Sequence, residues 1–251
     1  MLNIVIPMAG RGSRFADAGY VMPKPLIDIY EHFMIEYVIE NVKPTETCKF
    51  YFLCLQEHLY KYNLERTLKE IVPDCEVIPV IQVTEGAACT VLLAEKFINN
   101  EEPLMIANSD QFVEVDIDSY LAKMNDFDGL IMTMTATDPK WSFIQYDDNG
   151  LVTQLREKEA ISNEATVGIY NFKKGSDFVE FANLMIKKNI RVNGEFYVAP
   201  VYNELIEAGK KITFYNVGSD ETCMHGLGIP EDLKRFMRNP ISLKVFSSEE
   251  R

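Results

Sequence analysis

The stretch LNIVIPMAGRGSRFADAGYVMPKPLI, Leu2 to Ile27, sets a short apolar run against a loop crowded with glycine, arginine, lysine and proline. LNIVI has the length and texture of a strand buried on both faces, and the residues after it cannot continue one. The backbone N–H groups of Gly10 to Ser13 can face an anion, and Arg14 and Lys24 add two cations ten residues apart. Arginine offers a planar fork of donors to phosphate oxygens and lysine a compact mobile charge, so the pair suits a triphosphate. Pro23 and Pro25 are expected to hold Lys24 in an extended segment. Spacing excludes two known glycine-rich mechanisms. The dinucleotide fingerprint needs a third glycine where Phe15 stands, and the P-loop pattern G-x4-G-K-[ST] is absent. A solvated turn carrying ordinary surface cations is the alternative reading.

With 251 residues, 47% of them hydrophobic, the chain can bury one sizeable core or two small ones. Its formal charge of -13 argues against a nucleic-acid partner, which calls for a basic face. No segment approaches the roughly 18 to 20 apolar residues that cross a bilayer, and the N-terminus lacks signal-peptide texture, so a cytoplasmic location without a membrane partner is expected. Five scattered cysteines without CxxC spacing read as reduced core residues. His32, His58 and His225 do not fall at metal-ligand spacing, and His32 and His58 are expected on helix surfaces. No G-x-S-x-G elbow occurs.

Further β-type runs lie at Lys49–Leu55, Cys75–Val80 and Pro103–Ala107, with helical spacing between them, as in Tyr60, Leu64, Leu68 and Ile71. That alternation predicts a mostly parallel α/β sheet flanked by helices. From Gly129 the texture changes. Two alternating runs flank Asp148-Asn149-Gly150, a hairpin signal, so an antiparallel part is joined to the parallel half. A strand over Thr166–Phe172 and a helix from about Ser176, with Phe178, Phe181, Ala182 and Met185 on one face, follow. A last helix is expected from Pro230, with Glu231 and Asp232 complementing its N-terminal dipole. No linker or repeat divides the chain, so residues 1–251 are read as one domain, 1–127 its nucleotide-binding half and 128–251 its acceptor-binding half.

MAGRGSRF and MPKPLI together resemble the signature of the sugar-phosphate nucleotidyltransferases, whose fold is a Rossmann-like α/β sheet with an antiparallel acceptor-binding extension. The resemblance implies catalytic roles for Arg14 and Lys24, with the nucleotide held along Ala9, Gly10, Arg11, Gly12 and Ser13. QVTEGAACTVLLA resembles the family's base-recognition turn and implies Gln82, Gly86 and Ala87 at the nucleobase. By itself Gln82 also reads as a solvated residue at a strand end. PLMIANSDQF ends a buried strand in Asp110, where the family holds Mg2+; a turn former or helix cap is the plainer reading.

In the second half, LREKEAISNEATVGIYNF and NGEFYVAPVYNEL resemble the acceptor segments, which implies Glu157, Lys158, Gly168, Glu195 and Tyr197 at the acceptor. Two departures stand out. A second metal-binding aspartate of many family members aligns with Gly226, leaving Asp220, Glu221 or His225 as substitutes, or a single protein carboxylate, with Asp220 kept as the candidate. KWSFIQYD carries Ser142 where the family's acceptor strand has glycine, which points to a different acceptor shape. Over the full chain the resemblance extends to the cytidylyltransferases of bacterial capsule phosphoramidate synthesis, and implies CTP and L-glutamine phosphate as substrates, CDP-L-glutamine and pyrophosphate as products. A sugar-1-phosphate or heptose-phosphate nucleotidyltransferase, a non-catalytic nucleotide-binding subunit and a dinucleotide-dependent oxidoreductase are the alternatives. A homodimer is the family's habit.

Overall fold

The computed structural model describes residues 1–219 and 222–247. In chain order the strands are β1 (Leu2–Met8), β2 (Asp28–Ile29), β3 (His32–Phe33), β4 (Cys48–Leu55), β5 (Glu76–Val80), β6 (Leu104–Ala107), β7 (Gln111–Val113), β8 (Gly129–Thr135), β9 (Ser142–Tyr146), β10 (Val152–Glu157), β11 (Glu164–Phe172), β12 (Ile212–Ser219) and β13 (Met224–Gly226). Nine of them form one mixed sheet. Its path runs β10-β9-β11-β6-β1-β4-β5, with β8 pairing β11 and β12 pairing β8.

The centre of that sheet is parallel, β6 and β4 flanking β1 and β5 following β4. Side chains alternate between its faces because successive Cβ atoms of a strand point to opposite sides. Ile4, Ile6, Phe50, Phe52 and Cys54 enter one core, while Val5, Tyr51, Leu53 and Leu55 enter the other. Burial on both faces is why these strands read as nearly continuous apolar runs. The chain leaves β1 towards β4 and returns to β6 on the opposite side. Strand order therefore reverses between β1 and β6, the place where open α/β sheets leave a crevice beyond their carboxyl ends.

The antiparallel half begins at β11, which pairs antiparallel with β6, β8 and β9. The expected hairpin is β9–β10. Asp147 accepts from the N–H groups of Asn149 and Leu151, and Gly150 takes the left-handed conformation (φ 76°) that closes the turn. The helix Gly175–Lys187 buries Phe178, Phe181, Ala182 and Met185 as the spacing predicts.

Three expectations are corrected. The helical run ending at Ile71 is two helices, Gln56–Tyr62 and Leu64–Ile71, broken at Asn63, which adopts φ 53°. Asparagine tolerates that left-handed turn, and it leaves Tyr60 80% exposed while Leu64 and Leu68 are fully buried. His32 lies on β3, not on a helix, and stacks on Phe246 with ring centroids 3.7 Å apart. The helix Pro230–Arg238 is followed by a further one, Ile241–Lys244. All five cysteines are unpaired. Among the described residues no helix is long and apolar enough to cross a membrane.

Candidate active site

The cationic loop sits at the carboxyl end of β1, and an aromatic anchor holds it there. Phe15, in the short helix Ser13–Asp17, is 1% exposed and packs with Leu233 and Phe236 of the helix Pro230–Arg238. The residue that spoils a dinucleotide fingerprint is thus a core contact. Ala9 is buried at the strand end, whereas Gly10, Arg11, Ser13 and Arg14 are exposed. Gly12 takes φ 62° and starts the helix. The backbone N–H groups of residues 10–13 donate to no backbone acceptor among the described residues, so they are open to an anion. Lys24 corrects its expected extended setting. Pro23 is extended, but Lys24–Leu26 is a 3-10 turn closed by Leu26 N–H donating to Pro23 carbonyl at 2.8 Å.

That turn brings the Lys24 ammonium 2.9 Å from Asp110 Oδ2. Asp110 follows β6, so the pair closes the crevice between β1 and β6. Burial pushes the Asp110 carboxyl up, but the adjacent Lys24 charge and hydrogen bond, with Arg14 further off, outweigh it and hold the group below its ordinary value. Asp110 is therefore a carboxylate at neutral pH. A cavity of about 230 Å3 runs from Gly10 and Gly12 past Lys24 to Asp110, and it adjoins a cleft of about 520 Å3 that Arg14 and Asp110 also line.

A second carboxylate reaches this cleft from an unexpected place. Asp232, in the first turn of the helix Pro230–Arg238, lines it together with Gly226 and Gly228. A Cβ on Gly226 would lie 3.2 Å from Asp232 Oδ2, and one on Gly228 only 2.8 Å from Asp110 Oδ2. Two missing side chains thus leave room for both carboxylates. In the sequence Asp232 carries a helix-dipole role alone, because its position in a first turn already explains an acid. His225, named as a substitute ligand, points elsewhere: its Nε2 is 2.7 Å from Glu114 Oε1 and its ring packs against Phe112 and Phe236. Asp220 and Glu221 lie outside the described residues.

The turn expected to meet the base is tied to the segment expected to bind the acceptor. Gly86, at φ 134°, sits against the backbone of Phe196, with Phe196 N–H donating to Glu85 carbonyl at 2.8 Å and Ala88 N–H to Phe196 carbonyl at 3.0 Å. Ala87 lines the cleft. Gln82 stands exposed on the loop after β5, and neither it nor Glu195 lines the cleft.

Ser142, Glu157, Lys158, Gly168 and Tyr197 do line it. Ser142 Oγ donates to the Glu157 carboxylate, and the Lys158 ammonium donates to Tyr197 hydroxyl at 2.7 Å. Lys158 adopts φ 57°, which turns the chain back at the end of β10. Gly168 forms a bulge in β11: between Thr166 and Tyr170 the register with β8 shifts. A Cβ there would stand 2.2 Å from Asn108 Nδ2, so only glycine lets Asn108 approach. Asn108, just after β6, carries no signal in the sequence beyond its place at a strand end.

Burial raises the Glu157 carboxyl, Ser142 and Lys158 partly offset this, and Glu195 adds to the rise. A carboxyl raised in the folded state gives stability that is present below its unfolded value and lost as pH rises through its folded one. Glu157→Gln is therefore expected to raise Tm at pH 7 by about 1–4 °C. The gain should vanish below about pH 4, where the unfolded carboxyl also holds its proton. Thermal melts at both pH values check this, and an equal gain at both would contradict it.

Comparison with known proteins places the chain in context. The bifunctional protein GlmU of Methanococcus maripaludis is 25% identical over 215 residues, which cover 83% of this chain and 48% of that protein. The chain spans about half the length of the curated relatives it matches. Among solved structures, the nucleoside-diphosphate-sugar pyrophosphorylase of Vibrio cholerae RC9 superposes with a TM-score of 0.81 at 26% identity, covering 94% of this chain and 100% of that one. The inositol-1-phosphate CTP transferase of T. maritima shares the fold, with a TM-score of 0.73 at 12% identity and coverage of 97% and 94%. The family profile described as Nucleotidyl transferase matches residues 4–211, so the chain belongs to the nucleotidyl transferase family.

Proposed function

We propose that the protein transfers a nucleoside monophosphate from a nucleoside triphosphate to a small phosphorylated acceptor, releasing pyrophosphate. The observation that carries this reading is the Lys24–Asp110 pair at the β1/β6 crevice, beside a loop whose N–H groups have no backbone acceptor. An acceptor phosphate oxygen attacks the α-phosphorus, the bond from that phosphorus to the bridging oxygen breaks, and pyrophosphate leaves. Such a reaction asks the protein for positioning and charge rather than a covalent intermediate. The loop N–H groups and Arg14 hold the departing pyrophosphate, and Lys24 neutralises the α-phosphate. Ala87 faces the base, with the turn at Gly86 and the exposed Gln82 beside it. On the acceptor side Lys158 meets the phosphate, while Ser142, Glu157, Gly168 and Tyr197 shape the remainder and Glu195 stands behind them.

The donor set suits Mg2+. Among the described residues no three acidic, histidine or cysteine side chains gather into a closed cage, and Mg2+ is commonly held by one or two carboxylates with substrate phosphates and water. Asp110 and Asp232 would supply those carboxylates. When bound, the ion neutralises charge on the nucleotide phosphates. Asp232→Asn is expected to raise the Mg2+ concentration needed for half-maximal turnover at least about 10-fold, as loss of a metal-supporting group commonly costs 10- to 100-fold. An unchanged Mg2+ dependence would remove Asp232 from the site.

CTP and L-glutamine phosphate are the substrates we favour. Ser142 supports a non-sugar acceptor, because its hydroxyl engages Glu157 where a glycine would leave that carboxylate free for a sugar ring. The second reading, a sugar-1-phosphate acceptor, is supported by relatives such as the pyrophosphorylase of Vibrio cholerae RC9. Pyrophosphate release with CTP, UTP, GTP and ATP, each against L-glutamine phosphate, glucose 1-phosphate and a heptose 1-phosphate, tests both. Turnover confined to CTP with L-glutamine phosphate is expected. Turnover with a sugar phosphate alone would replace the acceptor, and release with none would end the proposal.

A further inference from the structure

Gln111 opens β7 directly after Asp110 and is only 4% exposed. It lines the cleft beside Gly168, with its Oε1 2.7 Å from the point a Cβ at 168 would occupy. Its Nε2 has no hydrogen-bond partner among the described residues. Four buried side-chain atoms share that condition, and two of them, Gln111 Nε2 and Trp141 Nε1, belong to residues that line this one cleft; His58 and Thr133 do not line it. Clustering of unfilled donors in one cleft points to a ligand rather than to scattered packing faults. Both are N–H donors, and an indole N–H can only donate, so what fills them must offer lone pairs, which in a phosphorylated acceptor are carried chiefly by oxygen.

We propose that Gln111 determines acceptor specificity by donating its carboxamide N–H to an oxygen of the acceptor's organic part, a carbonyl, carboxylate or hydroxyl. This rests on the nucleotidyl-transfer reading above. Gln111 faces Gly168, an acceptor-side position, with Asn108, which lines both cavities, beside it, and its cross-strand partner is Gly226. None belongs to the turn at Gly86. The final torsion of a glutamine side chain is broad, so the amide can turn its nitrogen towards the cleft at little cost. Gly168 is what makes the arrangement possible, since any side chain there would displace both carboxamides.

The test uses the full chain with saturating CTP and Mg2+ and whichever of L-glutamine phosphate, glucose 1-phosphate or N-acetylglucosamine 1-phosphate the wild type turns over. Gln111→Leu and Gln111→Met, both apolar and of similar size, are expected to raise the acceptor KM at least 10-fold. The KM for CTP should stay within 2-fold. Because the amide nitrogen has no partner in the protein to lose, Tm should hold or rise. An unchanged acceptor KM in both variants overturns the assignment of Gln111 and leaves the reaction standing. So does a fall in Tm of several degrees with both KM values moving together, the mark of a packing residue. No turnover by the wild type with any acceptor overturns the underlying reading itself, and this inference with it.

Discussion

Lys24→Ala is expected to lower turnover about 100- to 1,000-fold, by analogy with loss of one donor that stabilises developing charge. Among the described residues the side chain makes one hydrogen bond, to Asp110, and it heads a 3-10 turn that its neighbours Pro23 and Pro25 hold without it. The two side chains are 20% and 28% exposed, but burial disfavours the Asp110 charge that Lys24 offsets, so breaking the pair should cost about 1–3 kcal/mol of stability. The loss should therefore appear in kcat at temperatures well below a modestly lowered melt. Lys24→Arg is expected to recover little, because a planar guanidinium cannot reproduce a compact ammonium at 2.9 Å from Asp110 in the same turn. Steady-state pyrophosphate release and thermal melts on the same samples decide it. Wild-type kcat in Lys24→Ala would remove Lys24 from the mechanism.

Gly86→Ala is the second large effect, and it acts on structure first. The new Cβ would lie 2.4 Å from Phe196 carbonyl oxygen and 2.6 Å from its nitrogen, both backbone atoms that cannot swing away. The position also has φ 134°, where side-chain-bearing residues are strained. Overpacking costs about 1–3 kcal/mol and a forced backbone conformation about 1–3 more, so a loss of about 2–6 kcal/mol is expected. Gly10→Ala is the control. A Cβ there meets nothing within 4 Å and the backbone is not left-handed, so its denaturation midpoint should match the wild type. Equal midpoints for Gly86→Ala and Gly10→Ala would mean that the turn is not clamped. Since Phe196 precedes Tyr197, which lines the cleft, a shifted clamp should also disturb the proposed acceptor wall.

Where one physical cause dominated a segment, the sequence was readable. β1 and β4 are buried on both faces, and that condition permits little except apolar residues. The turn at Gly150 is written in the chemistry of Asp147 and Asn149. Of the residues singled out on resemblance, Arg14, Lys24, Asp110, Ser142, Glu157, Lys158, Gly168 and Tyr197 meet at two adjoining cavities, drawn from segments far apart in the chain.

What escaped was set by tertiary contact alone. Asp232 already had a local explanation in its helix, and only the glycine at 226 beneath its carboxylate shows its other face. Gln111 is polar at the start of a three-residue strand, a place that reads as exposed, and its burial comes from pairing with β13 more than a hundred residues later. Phe15 looked like a flaw in a nucleotide loop because its partners, Leu233 and Phe236, lie at the far end of the chain. The break at Asn63 left no trace in the apolar spacing, since the buried Leu64 and Leu68 fit either one helix or two.

Attack at the α-phosphorus fixes where each phosphate of the nucleotide travels, and isotope position reports it. CTP labelled with 32P at either the α- or the γ-phosphate is incubated with Mg2+, L-glutamine phosphate and the enzyme, and the products are separated. Attack there sends α-label into a new diphosphate-linked product and γ-label into pyrophosphate only. Transfer of γ-label to the acceptor, with α-label retained in CDP, would contradict it.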